Sequence, residues 1–375
     1  MNMNFAKTLR QPAVKTRITS LLGCDYPVLL PGMSWISQST LVAAVCNAGG
    51  VGILATGPLS PKETREEIRR IRDLTDKPFG IGATLLMPGA AENAAVALEE
   101  QAPIINTSLG KADWITQGVQ SYGGKLISTV TTSKHAKAAI EAGADALLVT
   151  GHEAAAHGGD VTSLVLVPSL SERFPDTPII AAGGWANGRG LAAALTLGAD
   201  GVAMGSRLAV TKESSLAQAV KEYIANPEAN EASTVYGSNF DGIPARVLKT
   251  PTSKKLMKSR PWFPIVVYRA FRAAQKMNVP LWKVLPGLLT QWDKMYMVAQ
   301  FGAATESLTK ATIDGNLKEG VQFIGQSAGL IHDVPHVEEL MQRIIQEARE
   351  ASQNRSLAFD STTSMQDNNE EHAAV

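Results

Sequence analysis

Three things are scarce in this chain, and each scarcity narrows its chemistry. Cysteine is nearly missing: the 375 residues hold two, Cys24 and Cys46, both in apolar surroundings. Their spacing offers no metal site, so both read as small core residues in a reducing compartment. Net charge is missing as well, with 35 basic side chains set against 35 acidic ones. That balance argues against nucleic acid as a partner. Long apolar runs are the third lack. No stretch of about 18 or more uninterrupted apolar residues occurs, which predicts no membrane span. The opening MNMNFAKTLRQPAVKTR leads into no apolar segment of signal-peptide type, and the expected location is the cytoplasm.

A fourth absence is local. Between Asp241 and Asp293 there is no acidic residue, while the same stretch carries ten basic ones from Arg246 to Lys283. A one-sided run of this kind is usually a solvated face, and 242–292 is read that way. Its sharper use would be to attract the phosphates of NAD(P)H or of a carrier-bound acyl group. The interleaved Trp262, Phe263 and Tyr268 allow a weaker idea, contact with a membrane surface.

Apolar, β-branched runs, in contrast, are plentiful. They begin at Tyr26, Val51, Pro78, Pro103, Lys125, Ala146, Pro178 and Gly201, and helix-like segments separate them. Continuous apolar character suits strands buried on both faces, and intervening helices supply the crossovers that parallel strands need. One helix start is fully spelled out: Ser60 caps, Pro61 takes the first turn, and Glu63 completes a capping box. Eight such units predict an α/β fold, a TIM (β/α)8 barrel. A doubly wound sheet would want a glycine fingerprint at the first turn, where PGMSWIS stands instead. The expected layout is a barrel over 18–226 and 315–350, a helical insertion after strand eight over 227–314, and a disordered tail over 352–375.

Ligands of such a barrel bind where strands end, and phosphates favour the loops after strands seven and eight. Those loops read AAGGWANGRG and MGSRL. Gly183 and Gly184 permit close backbone approach to an anion, Asn187 is placed to cap the next helix, and Gly205 with Ser206 offers a second half of the clamp. After strand six comes VTGHEAAAHGGD. Its histidines, His152 and His157, are five apart, so on a helix they would diverge by about 140° and fail the metalloprotease spacing. No metal site is expected. Ala154 to Ala156 would let a flat ring lie against the backbone, with His157 beside it as a general base. His152 is read as structural, and the pair His332 and His336 as solvated.

The segments YPVLLPGMSWISQSTLVAAVCNAGGVGILATG, GHEAAAHGGDVTSLVLVP, AAGGWANGRGLAAALTLGADGVAMGSRL and GQSAGLI together resemble the nitronate monooxygenase family, FMN-dependent TIM-barrel flavoproteins. The resemblance implies FMN as cofactor and His157 as the catalytic histidine. It further implies flavin contacts at Gly32, Met33, Thr129 and Ala155, and a phosphate clamp at Gly183, Gly184, Gly205 and Ser206. Three departures stand out: Pro31-Gly32-Met33 stands where many members have a small residue, proline and methionine in that order, Gly82 occupies the place of an expected flavin-binding asparagine, and Thr129 that of a lysine in quinone-reducing relatives. The leading expectation is oxidation of alkyl nitronates with dioxygen to carbonyl compounds and nitrite. The alternative is NAD(P)H-dependent reduction of a quinone or an enoyl thioester on the same FMN. A flavin-binding scaffold without turnover and a sugar-phosphate aldolase are the readings from other classes. Oligomeric state is not legible.

Overall fold

A computed structural model of the chain describes residues 10–360, apart from 88, 111–112, 157, 241–243, 259–267 and 269–303. Eight parallel strands, β1 (Val28–Leu30), β2 (Val51–Ala55), β3 (Gly80–Thr84), β4 (Ile104–Ser108), β5 (Lys125–Val130), β6 (Ala146–Thr150), β7 (Ile179–Ala182) and β8 (Gly201–Ala203), pair in sequence order. The ring closes by β8 pairing with β1, Val202 opposite Val28. All eight runs expected as strands are strands.

The barrel interior is filled by Leu29, Ile53, Ile104, Ile127, Leu148 and Ile180. Its N-terminal end is stoppered by α1 (Arg17–Leu22), whose Ile18 and Leu22 join the same cluster. Outside the strands run α2 (Ser39–Asn47), α3 (Pro61–Leu74), α4 (Ala90–Glu99), α5 (Asp113–Ser121), α6 (Ser133–Glu141), α7 (Ser163–Arg173) and α8 (Gly188–Thr196). The capping box of α3 forms as its sequence requires, with Ser60 and Glu63 exchanging hydrogen bonds.

After β8 the chain makes only the short α9 (Gly205–Ala209) and α10 (Gln218–Ile224) before leaving the barrel. The eighth outer position is taken instead by the closing helix, Val337–Asp360, which packs on α8 and α2. Its Leu340, Met341, Ile344 and Ile345 are buried there. The chain leaves and returns at one place: Lys212 N–H donates to Pro335 O at 3.0 Å. Glu213 accepts from Val337 N–H at 3.0 Å and meets His336 Nδ1 at 2.9 Å, while the Arg207 guanidinium binds Asp333 at 2.9 Å.

Two boundaries differ from expectation. The insertion opens with an antiparallel hairpin, β9 (Thr234–Gly237) and β10 (Ala245–Leu248), before α11 (Pro251–Lys258), because Val235, Tyr236 and Val247 favour a pleated surface. The closing helix also runs to Asp360, past the tail boundary at 352. Most of the basic, aromatic stretch after Lys258, and 361–375, lie outside the described residues. Among the described residues no helix is long and apolar enough to cross a membrane.

Candidate functional site

The C-terminal rim of the barrel carries two groups of backbone amides that meet no acceptor among the described residues. Gly183 and Gly184 take φ of 99° and 86°, a left-handed region that only glycine enters cheaply. A Cβ on Gly183 would lie 3.1 Å from both Ala154 N and Gly151 O, closer than ordinary contact, so a side chain there would push the two loops apart slightly. Neither glycine's N–H meets an acceptor among the described residues. The register Ala182 opposite Ala203 sets this loop beside Met204 and Gly205, where α9 starts without a side-chain cap and leaves its first amides open. Against Gly205 lie Met33 Sδ and Pro31 Cγ, each 3.4 Å from where its Cβ would be, which brings the Pro31-Gly32-Met33 turn to the same place. Glycines with unengaged amides at the ends of two adjacent strands are a fitting cradle for the phosphate of a flavin nucleotide.

Two groups near the expected clamp already have protein partners. Asn187 does cap α8, accepting from Gly190 N–H at 3.0 Å, but the neighbouring Gly188 N–H donates to Glu347 of the closing helix at 2.8 Å. That helix end is answered by a carboxylate and is not open to an anion. Ser206 is 7% exposed and its Oγ accepts from Gly325 N–H at 2.9 Å, so the hydroxyl ties the GQSAGLI loop to the rim.

The loop after β6 is held from three sides. Glu153, which in the sequence looks like part of a metal motif, sits on the first turn of α7: its carboxylate accepts from Ser163 N–H at 2.9 and 3.1 Å and lies 3.0 Å from Ser163 Oγ. A carboxylate suits the positive end of a helix. Ser163 Oγ is also 2.9 Å from Gly183 O, which joins this loop to the glycine cradle. Glu153 O accepts from Gln326 N–H at 2.9 Å. His152 is structural as expected, with Nδ1 3.0 Å from Gly159 O and its ring edge-on to Tyr236 at 4.6 Å. The Ala155 N–H meets no acceptor among the described residues. His157 lies outside the described residues; its neighbour Ala156 takes φ of 53°. No group of three potential metal ligands occurs among the described residues.

Sequence reasoning missed two side chains here. Asn106 on β4 faces Gly82 in register, and its Nδ2 donates to Ile127 O and Thr129 Oγ1, both at 3.1 Å. With Thr129 it forms a small polar floor to the barrel mouth, close to where an asparagine had been expected at Gly82. Arg246, counted in the solvated basic run, is instead 4% exposed. Its Nε and Nη2 donate to His152 O at 3.3 and 3.1 Å, its Nη1 to Thr234 Oγ1 at 3.2 Å, and its plane lies 5.2 Å from the Tyr236 ring centre. Burial lowers its pKa from the usual arginine value. The thiols conform to expectation: burial pushes Cys24 up to about 12 and Cys46 to about 11, which makes thiolate chemistry unavailable near neutral pH.

Comparison with known proteins places the chain among oxidoreductases. The family model described as nitronate monooxygenase matches residues 15–121 and 92–347. A (3aS,4S,5R,7aS)-5-hydroxy-7a-methyl-1-oxo-octahydro-1H-indene-4-carboxyl-CoA dehydrogenase of Mycobacterium tuberculosis is 35% identical over 344 residues, covering 89% of this chain and 96% of that protein. A nitronate monooxygenase of Pseudomonas aeruginosa is 28% identical, covering 89% and 99% respectively. Among solved structures, FabK from Thermotoga maritima superposes with a TM-score of 0.75 at 34% identity, covering 92% of this chain and 99% of that one.

Proposed function

The chain belongs to the nitronate monooxygenase family, and from that premise we propose that it is an FMN-dependent oxidoreductase whose substrate is a carboxylic acid carried as a thioester. The cradle of Gly183, Gly184 and Gly205 supports the flavin half of this reading, because its open amides suit a terminal phosphate. Bound FMN would supply a two-electron acceptor and donor. The chain supplies the rest: Ala154 to Ala156 keep side chains off the flavin's face, the Ala155 N–H is free to donate to a ring edge, and Asn106 with Thr129 lines the floor. His157 takes a proton from the substrate carbon or oxygen as the electron pair leaves it. The observation that carries the thioester over the nitronate is the identity pattern, 35% over 96% of a carboxyl-CoA dehydrogenase against 28% for a nitronate monooxygenase.

Oxidation of an alkyl nitronate with dioxygen is the second reading, favoured by the family whose model matches. The two part under anaerobic flavin reduction of the FMN-reconstituted protein, with an acyl-CoA, NADH or NADPH, and propyl nitronate in separate cuvettes. Bleaching by the acyl-CoA, or by a nicotinamide followed by reoxidation with an enoyl-CoA, is the expected result, and His157→Ala should slow it by about 100-fold or more. Bleaching by nitronate alone would overturn the thioester reading.

A further inference from the structure

Among the described residues no carboxylate touches the buried Arg246 guanidinium, whose donors go instead to a backbone carbonyl and to the Thr234 hydroxyl. Two of its donors converge on His152 O, at 3.3 and 3.1 Å. Its own backbone meets the far side of the same loop: Arg246 N–H donates to Ala156 O at 3.0 Å, and Ala156 N–H donates back to Arg246 O at 3.2 Å. One residue of the insertion therefore grips the segment after β6 at both ends, through its side chain at His152 and its main chain at Ala156. Ala156 sits at φ 53°, a conformation that alanine keeps only where its surroundings fix it. The reciprocal pair with Arg246 provides that fixation, and the next residue in the chain is His157.

We propose that Arg246 is a positioning residue of the reaction, setting where the backbone delivers His157 by clamping His152 and Ala156 together. The proposal rests on His157 being the proton acceptor, as argued above. Its mechanical half does not. Glu153 and Ser163 anchor the middle of the same loop to α7, so the hairpin and the barrel hold it between them. The phosphate cradle on β7 and β8 has no bond to Arg246, and flavin affinity should be largely independent of it.

The test is a double-mutant cycle of Arg246→Met with His157→Ala, read with whichever donor reduces the bound flavin. Arg246→Met alone should lower kcat by about 10- to 100-fold, the scale of a misplaced reacting group, with KM and the FMN dissociation constant within about threefold. In the His157→Ala background the same change should cost less than about twofold. Equal losses in both backgrounds, or FMN affinity falling in step with kcat, would overturn the proposal. Hydrogen–deuterium exchange supplies a readout free of activity: peptides over 152–158 should exchange faster in the variant while those over 183–206 do not change. Unaltered exchange over 152–158 would equally overturn it. Should Arg246→Met fail to fold, Arg246→Lys, which keeps a buried cation and one donor, takes its place in both measurements. A substrate other than a thioester would defeat the proposed function and leave this exchange result standing.

Discussion

At the scale of single residues, the glycines after β7 make the sharpest prediction. Gly183 and Gly123 both have positive φ, 99° and 80°, but only Gly183 is enclosed. Alanine in a left-handed conformation costs about 1–2 kcal/mol, so both Gly183→Ala and Gly123→Ala should lower urea stability by about that much. Only Gly183→Ala should also weaken FMN binding, by about tenfold, because its Cβ meets Ala154 N and Gly151 O and pushes the amides apart. Fluorescence titration of FMN decides it; equal affinity in the two variants would mean that the cradle lies elsewhere. These glycines were legible because chemistry and backbone demand coincide in a doublet after an apolar strand. Arg246 was not. In sequence a buried arginine inside a basic run looks like its exposed neighbours, and only the hairpin's docking on Ala156 distinguishes it. The role of Glu153 was not legible either: the histidine spacing rules out a metal motif, but its partner, the start of α7, lies ten residues on.

Among elements, α7 joins the two halves of the candidate site. Its first residue, Ser163, offers N–H and hydroxyl to Glu153 and reaches Gly183 O, so one helix start ties the loop after β6 to the loop after β7. Ser163→Ala removes the hydroxyl from a buried position and takes a donor away from Gly183 O, an effect of about 1–2 kcal/mol on stability. Because this hydroxyl reaches Gly183 O in the proposed phosphate cradle, FMN affinity should fall as well, by about three- to tenfold. Urea denaturation with and without FMN separates the two effects; a stability loss with unchanged affinity would show the joint to be merely structural. The strands themselves were readable without ambiguity, since being covered on both faces removes the alternation that could confuse them with edge strands. The β9–β10 hairpin escaped notice because its strands are four residues each and lie in a region dominated by helical composition.

For the molecule as a whole, the outer ring is completed from a distance. The eighth seat, between α8 and α2, belongs to the closing helix, and Gly188 approaches it so closely that a Cβ would stand 2.2 Å from Ile344 O. Ile344→Ala should therefore cost about 2–4 kcal/mol, and unfolding should stay a single transition. Two separated transitions would instead mark the closing helix as an appendage to a self-sufficient barrel. The stem formed by Lys212, Glu213, Pro335 and Val337 adds a consequence for how such proteins diversify. Since the chain departs and re-enters at one closed neck, a replacement for the segment between would leave the threading of the barrel unchanged, provided that it keeps the contacts of Gly325 with Ser206 and of Gln326 with Glu153. A graft swapped at this neck would bring its own counterpart of Arg246, and with it a new setting of the loop that bears His157. Under the proposed function, substrate preference and proton transfer would then travel as one unit, separately from the glycine cradle.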